Sequence, residues 1–190
     1  ATKSVSRGAM LASQLLSFAR KQPLSPVPLN LGELLAENTD ILGSAVGEGV
    51  EIETSVADGL WNTNVDPNNM ENALLNLAIN ARDAMNGQGC LTIELGNAEF
   101  DDAYAASHPV VDAGQYVVIS VRDTGCGMPP EIVEKIFEPF FSTKGQQGNG
   151  LGLAIVWGII EANNGQVTVE SEVGKGTTFS ILLPAAQPEQ

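Results

Sequence analysis

The sequence predicts an α/β sandwich in which helices cover one face of a mixed β-sheet. Two observations support this fold class. Segments with apolar residues at helical spacing are interspersed with short segments in which apolar and polar residues alternate. The chain also finishes on two alternating segments joined by a glycine-containing turn, which is typical of a β-hairpin.

The N-terminal residues 4–21 carry a wide apolar stripe at helical spacing, which predicts a helix that needs a partner surface. Three prolines lie within the next segment and predict an extended linker over residues 23–29. The main domain is therefore expected over residues 30–186.

The first half of this domain is predicted to contain two helices and two strands. A capping pair of Asn30 and Glu33 marks the start of the first helix. Asp66 and Pro67 fit the N-cap and first-turn positions of the second. The predicted elements are a helix over residues 30–46, strands over 50–56 and 61–65, and a helix over 66–85.

The second half is predicted to alternate four strands with two helices. Its strands are short alternating segments, and Gly174 and Gly176 form the turn of the closing hairpin. The predicted elements are strands over residues 90–95, 116–121, 166–171 and 177–183, helices over 130–137 and 151–162, and a polar loop over 99–114.

Composition and charge exclude several classes of partner. Nine Lys and Arg against 23 Asp and Glu give a net charge of -14, so phosphate-backbone attraction to nucleic acid and binding to anionic membranes are not expected. No apolar run approaches the ~18 residues of a membrane span. Cys90 and Cys126 are too few for a disulfide scaffold and have no metal-ligand spacing. We therefore expect a cytoplasmic, reducing location.

The predicted helix over residues 66–85 has a polar but almost uncharged face. It is formed by Asn69, Asn72, Asn76, Asn80 and Asp83, within an arc of roughly 80°. Asn is a poor helix former, so a merely solvated face would favour Lys and Glu. Amide oxygens suit Mg²⁺, which predicts a binding face. The alternative is a chance run of surface asparagines.

A carboxylate continues the apolar face of the predicted strand over residues 116–121. Asp123 follows Val117, Ile119 and Val121 at alternate positions, and an inward carboxylate is costly unless a group donates to it. The glycines directly after it allow a flat ligand to approach the backbone. This acceptor is suited to the exocyclic amine of a purine. The alternative is an Asp that caps a turn.

A glycine-rich stretch from Gly145 to Gly152 leads directly into the helix over residues 151–162. Helix N-termini offer free N–H groups, by which an acidic protein can still hold phosphates. The stretch is typical of a mobile lid. Lys144 stands at its edge, either as a phosphate contact or as an ordinary solvated lysine.

Five motifs occur in order along the domain: NLAINARDAM from Asn76, DTGCGM from Asp123, IFEPFFSTK from Ile136, GNGLGLAIV from Gly148 and GKGTTF from Gly174. They resemble the N, G1, F and G2 boxes and the terminal turn of the catalytic and ATP-binding domain of bacterial sensor histidine kinases. That family belongs to the superfamily of gyrase, chaperone, histidine kinase and mismatch-repair ATPases.

The resemblance implies a Bergerat-type ATP site on a two-layer α/β sandwich. It implies that Asn80 binds Mg²⁺, that Asp123 binds the adenine amine, and that Phe140 and Phe141 pack at the base of the lid. The implied catalytic residues are Asn76 and Asn80. The implied nucleotide-binding residues are Asn76, Asn80, Asp83, Asp123, Gly125, Gly127, Lys144, Gly148, Gly150, Leu151, Gly152 and Thr177.

The resemblance also implies that the ATP γ-phosphate passes to a histidine and then to a response-regulator aspartate. Residues 1–22 resemble the second helix of the dimerisation hairpin through which full-length relatives form homodimers. The first helix of that hairpin, with the acceptor histidine, is absent from the sequence. We therefore expect a fragment of a longer sensor, either soluble or membrane-anchored. His108, the single histidine, is expected on the surface of a loop.

Two departures from the family pattern bear on mechanism. Asp83 stands where many members have a basic residue, so Lys144 or Arg82 would supply positive charge instead. Asn76 stands where the gyrase and chaperone ATPases place a catalytic glutamate, which favours phosphoryl transfer to histidine over fast hydrolysis. Two other functions stay open: an ATP-driven mechanical clamp and a non-catalytic scaffold.

Overall fold

The computed structural model describes residues 24–143 and 150–186. Within them the strands are β1 (Val27–Leu29), β2 (Val50–Val56), β3 (Thr63–Val65), β4 (Gly89–Phe100), β5 (Gly114–Asp123), β6 (Gln166–Glu172) and β7 (Gly176–Pro184). The helices are α1 (Leu31–Glu37), α2 (Thr39–Val46), α3 (Pro67–Ala84), α4 (Asp102–Ser107), α5 (Pro130–Val133) and α6 (Gly152–Ala162).

Five strands form a mixed sheet in the order β2, β4, β5, β7, β6. The β2–β4 pair is parallel and the other three pairs are antiparallel. Because a parallel pair needs a crossover connection, β3 and α3 lie between β2 and β4 in the chain. The predicted mixed sheet and the closing β6–β7 hairpin are confirmed.

One face of the sheet packs against α1, α2, α3 and α6 in a single apolar core. Alternate residues of the central strands are buried there, and in-register pairs such as Ile119 and Ile181 lie side by side. The buried residues of these strands are Leu91, Ile93, Leu95, Val117, Ile119, Val121, Phe179, Ile181 and Leu183. The α/β sandwich predicted from alternation and helical spacing is therefore confirmed.

Helix α3 has the start that the sequence predicts. The Asp66 carboxylate accepts hydrogen bonds from the N–H groups of Asn68 and Asn69, at 3.0 and 3.4 Å, and Pro67 occupies the first turn. The predicted apolar stripe through Leu74, Ala78, Ala81 and Met85 is buried. On the opposite side, Asn69 is also buried, whereas Asn76 and Asn80 are half-buried.

The single helix predicted over residues 30–46 is wrong, because the structure contains two helices that meet at Asn38. The backbone N–H of Asn38 donates to the carbonyls of Leu34 and Leu35, and its side-chain Nδ2 also donates to Leu34 at 2.8 Å. Asn competes in this way with helical hydrogen bonding, which ends α1. The predicted cap at Asn30 is confirmed, since its Oδ1 accepts from two helix N–H groups.

Several predicted boundaries also differ from the structure. Strands β4 and β5 extend well beyond the predicted 90–95 and 116–121, because they pair continuously from Leu91 and Asp123 to Phe100 and Gly114. The predicted loop over 99–114 therefore begins as strand, and it contains α4. The strand predicted over 61–65 contains only Thr63–Val65, and the helix predicted over 130–137 ends at Val133.

The β4–β5 connection is ordered by stacked rings. Tyr104 of α4 stacks on Phe100 and on His108, with ring centroids 4.5 and 3.9 Å apart. His108 is the C-cap of α4 and is exposed, so its predicted surface position is confirmed although it ends a helix.

The C-terminal end of the segment predicted as a linker pairs with a strand of the domain. Strand β1 is antiparallel to β3, and the N–H of Ser25 donates to Asp66 Oδ2 at 3.0 Å. The helix predicted over 4–21 lies outside the described residues. No helix within 24–143 and 150–186 combines the length and apolar composition that a membrane crossing requires.

Candidate functional site

A buried carboxylate lies at the end of β5, at one edge of the core. Asp123 is 3% exposed, and its Oδ1 accepts hydrogen bonds from the N–H groups of Gly125 at 2.9 Å and Thr177 at 3.3 Å. Burial raises the pKa of Asp123 above its ordinary value, while these two donors lower it. No described residue donates to Oδ2. Oδ2 is thus the carboxylate oxygen that the described residues leave without a hydrogen bond.

The loop after Asp123 is fixed between the end of α3 and the β6–β7 hairpin. The N–H of Cys126 donates to the carbonyl of Ala84 at 3.0 Å, and the carbonyl of Cys126 accepts from Gly174 at 2.7 Å. Gly127 has a φ of +68°, and a Cβ there would collide with the carbonyl of Glu172. The loop backbone therefore lies directly against the hairpin, with no side chain between them.

Thr177 reaches this site from the start of β7. It is buried, and its Oγ1 lies 2.8 Å from Ser171 Oγ on the neighbouring strand β6. Ser171 Oγ in turn accepts from the N–H of Met128 at 2.8 Å. Sequence reasoning missed Ser171. The signal for it was a polar residue on the inward side of β6, where Val167 and Val169 pack against the core.

The asparagine face of α3 leads toward the start of α6. Asn76 Nδ2 donates to the carbonyl of Asn72 at 2.9 Å, and the Asn76 Oδ1 lies near Gly152 of α6. A Cβ built on Gly152 would lie 3.5 Å from that Oδ1, so the two helices approach closely here. Asn80 is half-buried, one turn further along α3, and its side chain makes no hydrogen bond to any described residue.

The N-terminus of α6 begins at a tight backbone turn. Gly150 has a φ of +69°, and its carbonyl accepts from the N–H of Phe140 at 3.0 Å. Leu151 is the buried N-cap residue, and no side chain caps the helix. The first-turn N–H groups of α6 are thus suited to an anionic ligand. Lys144 and Gly148, also predicted at this site, lie outside the described residues.

Charged residues beside the asparagine face are paired with each other. Arg82 donates from Nε and Nη2 to Asp83 Oδ1 at 3.1 and 3.0 Å, and from Nη1 to the carbonyl of Ala45 at 2.9 Å. The Arg82 guanidinium is therefore bound toward α2. This arrangement weighs against Arg82 as the source of positive charge for phosphates.

The described residues could coordinate Mg²⁺ only through side-chain amide oxygens, with the remaining oxygens supplied by a bound ligand. Within residues 24–143 and 150–186, no three His, Cys, Asp or Glu side chains come together as a metal cluster. Asn76 and Asn80 are both half-buried amides on this face, and Asn80 is the one whose side chain makes no hydrogen bond to a described residue. Mg²⁺ commonly keeps few protein ligands when phosphates supply the rest, so the residues present fit such a site.

A family model described as "Histidine kinase-, DNA gyrase B-, and HSP90-like ATPase" matches residues 65–187, which are more than half of the chain. The chain belongs to this ATPase family. The match begins at β3 and includes α3, the Asp123 loop, α6 and the closing hairpin, so every part of the candidate site lies within it.

Similar members of the family are sensor kinases. The sensor kinase CckA of Brucella abortus is 43% identical over 183 residues, which are 96% of this chain and 19% of that protein. The sensor histidine kinase ZraS of Salmonella typhi is 31% identical over 189 residues, which are 99% of this chain and 37% of that protein. The chain spans about a fifth to two fifths of the length of these curated relatives.

Solved structures of histidine kinases share the fold. Full-length ShkA in complex with AMPPNP matches with a TM-score of 0.73 at 30% identity, over 97% of this chain and 38% of that one. The catalytic domain of the histidine kinase ThkA matches with a TM-score of 0.62 at 26% identity, over 86% of this chain and 97% of that one. This chain is thus the counterpart of the ATP-binding catalytic domain of sensor histidine kinases, as the five motifs predict.

The structure brings the predicted residues together in two groups. Asp123, Gly125, Gly127 and Thr177 form one connected group around the end of β5. In the second group, Gly152 at the start of α6 approaches the Asn76 amide oxygen of α3. Asn80 lies one turn further along α3, and Gly150 and Leu151 directly precede α6. The Cys126 hydrogen bond to the end of α3 connects the two groups.

The two phenylalanines predicted at the base of the lid differ from each other. Phe141 is half-buried and packs against the core. Phe140 has its backbone bonded to Gly150, but its side chain is 44% exposed. Phe140 also has a positive φ of 69°. The packing of both rings at the base of the lid stays a prediction, because residues 144–149 lie outside the described part of the chain.

Proposed function

We propose that this chain binds Mg²⁺·ATP and transfers its γ-phosphoryl group to a histidine on a separate dimerisation helix. The observation that carries this proposal is the buried Asp123, whose Oδ1 is held by two backbone N–H groups while its Oδ2 receives no hydrogen bond from the described residues. A fixed acceptor at the edge of an apolar core suits the exocyclic amine of adenine. The AMPPNP bound by the structural relative ShkA supports the same ligand class.

The two groups of site residues would bind opposite ends of the nucleotide. Asp123, Gly125, Gly127 and Thr177 would hold the base, with the glycines giving it access to the backbone. The N-terminus of α6, with Gly150, Leu151 and Gly152, would hold the phosphates through N–H groups and the helix dipole. Lys144 and Gly148 are proposed at the phosphates from sequence alone, and Asp83 borders that end of α3.

Asn80 is proposed as the protein ligand of Mg²⁺ through its amide oxygen. When bound, Mg²⁺ would neutralise phosphate charge in the site. Asn76, one turn earlier, is oriented by its hydrogen bond to Asn72 and offers an oxygen acceptor rather than a base. An amide cannot accept a proton from water at neutral pH, so this position favours positioning over hydrolysis.

The chemistry then consists of orienting ATP for in-line attack by an imidazole nitrogen. The bond between the γ-phosphorus and the bridging oxygen breaks, the nitrogen–phosphorus bond forms, and ADP leaves with the electron pair. The described chain supplies no nucleophile to this step. We further propose that the phosphohistidine passes its phosphoryl group to a response-regulator aspartate, and that the whole protein is a homodimer acting in the cytoplasm.

Phosphotransfer to a supplied acceptor tests this function directly. The chain is mixed with radiolabelled Mg²⁺·ATP and a separately purified phosphoacceptor hairpin of a sensor histidine kinase. We expect label on the hairpin that is stable to base and labile to acid, as phosphohistidine is. A hairpin in which the acceptor histidine is replaced by alanine is the matched control and should stay unlabelled.

The same assay distinguishes the two other functions. Rapid release of phosphate without labelled hairpin would identify an ATP-driven clamp. Nucleotide binding with neither label nor phosphate release would identify a scaffold. Either result contradicts the proposed kinase reaction.

A further inference from the structure

The loop after β5 reaches the C-terminal end of α3 through the Thr124 hydroxyl. Thr124 Oγ1 donates to the Sδ of Met85, the C-cap residue of α3, at 3.4 Å. The same oxygen accepts from the N–H of Cys90, near the start of β4, at 3.1 Å. One hydroxyl thus joins the loop, the helix and the neighbouring strand. Thr124 is not among the residues predicted to bind nucleotide.

The chemistry of the two partners fixes the direction of both hydrogen bonds. A backbone N–H can only donate, and a thioether sulfur can only accept. The single proton of the Thr124 hydroxyl is therefore shared with the sulfur of Met85, and one of its lone pairs is occupied by the N–H of Cys90. Neither bond can be reversed by rotating the hydroxyl.

The surroundings of this hydroxyl are closely packed. A Cβ built on Gly89 would lie 2.6 Å from both Thr124 Oγ1 and Met85 Sδ, so a side chain at that position would displace one of them. A Cβ built on Gly125 would lie 2.6 Å from the carbonyl oxygen of Ala84. The loop therefore lies in direct contact with the last two residues at the end of α3.

This contact lies between the two proposed ends of the nucleotide site. Asp123, the proposed adenine acceptor, directly precedes Thr124 in the chain. Asn80, the proposed Mg²⁺ ligand, lies about one helical turn before Ala84. Because hydrogen bonds hold the rise of a helical turn constant, the attachment of the loop to the end of α3 determines the separation between Asp123 and Asn80.

We propose that Thr124 is a positioning residue that sets this separation by attaching the loop to α3. The inference rests on the proposed function, in which one ligand spans both Asp123 and Asn80. A ligand held at both ends gains affinity from the second contact only when the two contacts are held at a matching separation. Loss of the Thr124 hydroxyl should therefore weaken the contribution of Mg²⁺ more than the binding of nucleotide alone.

The test measures the affinity for a non-hydrolysable ATP analogue by calorimetry, in Mg²⁺ and in EDTA, and records thermal unfolding of each variant. Thr124→Val keeps the shape of the side chain and removes the hydroxyl, whereas Thr124→Ser keeps the hydroxyl. Because Thr124 is an exposed residue, neither change should disturb the core. Thr168→Val makes the same replacement at an exposed position of β6 and is the matched control.

We expect Thr124→Val to reduce the Mg²⁺-dependent increase in affinity about fivefold, and to change the affinity in EDTA by less than about twofold. Thr124→Ser should restore the wild-type increase, and Thr168→Val should leave it unchanged. If Thr124→Val leaves the increase unchanged, the inference is overturned, whether or not the affinity in EDTA falls.

A second comparison asks whether Thr124 acts through Asn80. In the Asn80→Ala background, Thr124→Val should not reduce the increase further, because the ligand that it positions is already absent. An equal reduction in both backgrounds overturns the inference. Wild-type chain that does not bind the analogue, or that binds it without any gain from Mg²⁺, would instead overturn the proposed nucleotide site, so the two failures are distinguishable.

Discussion

Replacing Asp123 by Asn separates a ligand-binding role from a structural one. Asn has the same shape, so its Oδ1 can still accept from the N–H groups of Gly125 and Thr177. Its Nδ2 would then replace Oδ2, the atom to which no described residue donates. The variant therefore places an N–H donor opposite the amine of adenine, which is itself a donor. The change therefore removes one interaction with the ligand and keeps those within the protein.

The expected loss in binding follows from the type of hydrogen bond removed. A hydrogen bond to a charged acceptor contributes about 1.5–3 kcal/mol, and two facing donors add a desolvation penalty of similar size. We therefore expect Asp123→Asn to weaken ATP binding by about 3–6 kcal/mol, which is roughly 100- to 20,000-fold in the dissociation constant.

The stability of the folded chain should change in the opposite direction. Burial raises the pKa of Asp123, because the ionised carboxylate is less favourable in the folded chain than in the unfolded chain. At pH values above the ordinary pKa, this group therefore lowers the free energy of unfolding. The neutral amide has no such cost. We expect the unfolding free energy of Asp123→Asn at neutral pH to equal or exceed that of wild type.

Calorimetric titration with ATP and urea unfolding measure the two effects on the same samples. Weaker binding at preserved stability agrees with the reasoning. A variant that keeps wild-type ATP affinity, or one that loses stability in parallel with binding, would refute it.

Three further predictions follow from the same site and its supporting helix. Mg²⁺ should increase the ATP affinity of wild type, and Asn80→Ala should reduce that increase by about tenfold or more. Asn72→Ala, at an exposed position of the same helix, should leave the increase unchanged. Equal effects of the two variants in calorimetry would contradict Asn80 as the Mg²⁺ ligand. The ATP affinity of wild type should fall as pH is lowered through the raised pKa of Asp123, and Asp123→Asn should lack that step in the same pH series. Asp66→Ala should lower the unfolding free energy by about 2 kcal/mol, because it removes the cap of α3 and the Ser25 contact. Asp66→Asn should retain most of that stability in urea unfolding, and equal losses would contradict the capping role.

Much of the fold was predictable where local signals decide the structure. Asp66 and Pro67 predict the start of α3, and the spacing of Leu74 and Ala78 predicts which side of that helix is buried. Asp123 was also predictable as an inward carboxylate, because strand alternation depends only on the backbone. These features depend on residues close together in the chain.

The features that escaped prediction depend on residues far apart in sequence. Strand β4 continues to Phe100 because β5 pairs with it, although Glu99 and Phe100 alone gave no clear strand signal. The Ser171 contacts with Met128 and Thr177 exist only once the sheet has formed. The break at Asn38 shows a different limit, since a single side chain there outcompetes an otherwise continuous apolar pattern.

The pairing of β1 with β3 fixes the point at which the preceding segment joins the catalytic domain. Strand β1 and the Ser25 hydrogen bond attach the chain to the domain from about residue 25 onward. The segment that precedes residue 24 is therefore joined to the domain beside β3 and the N-cap of α3. A pull on that segment would act directly on the start of the helix that carries Asn76 and Asn80.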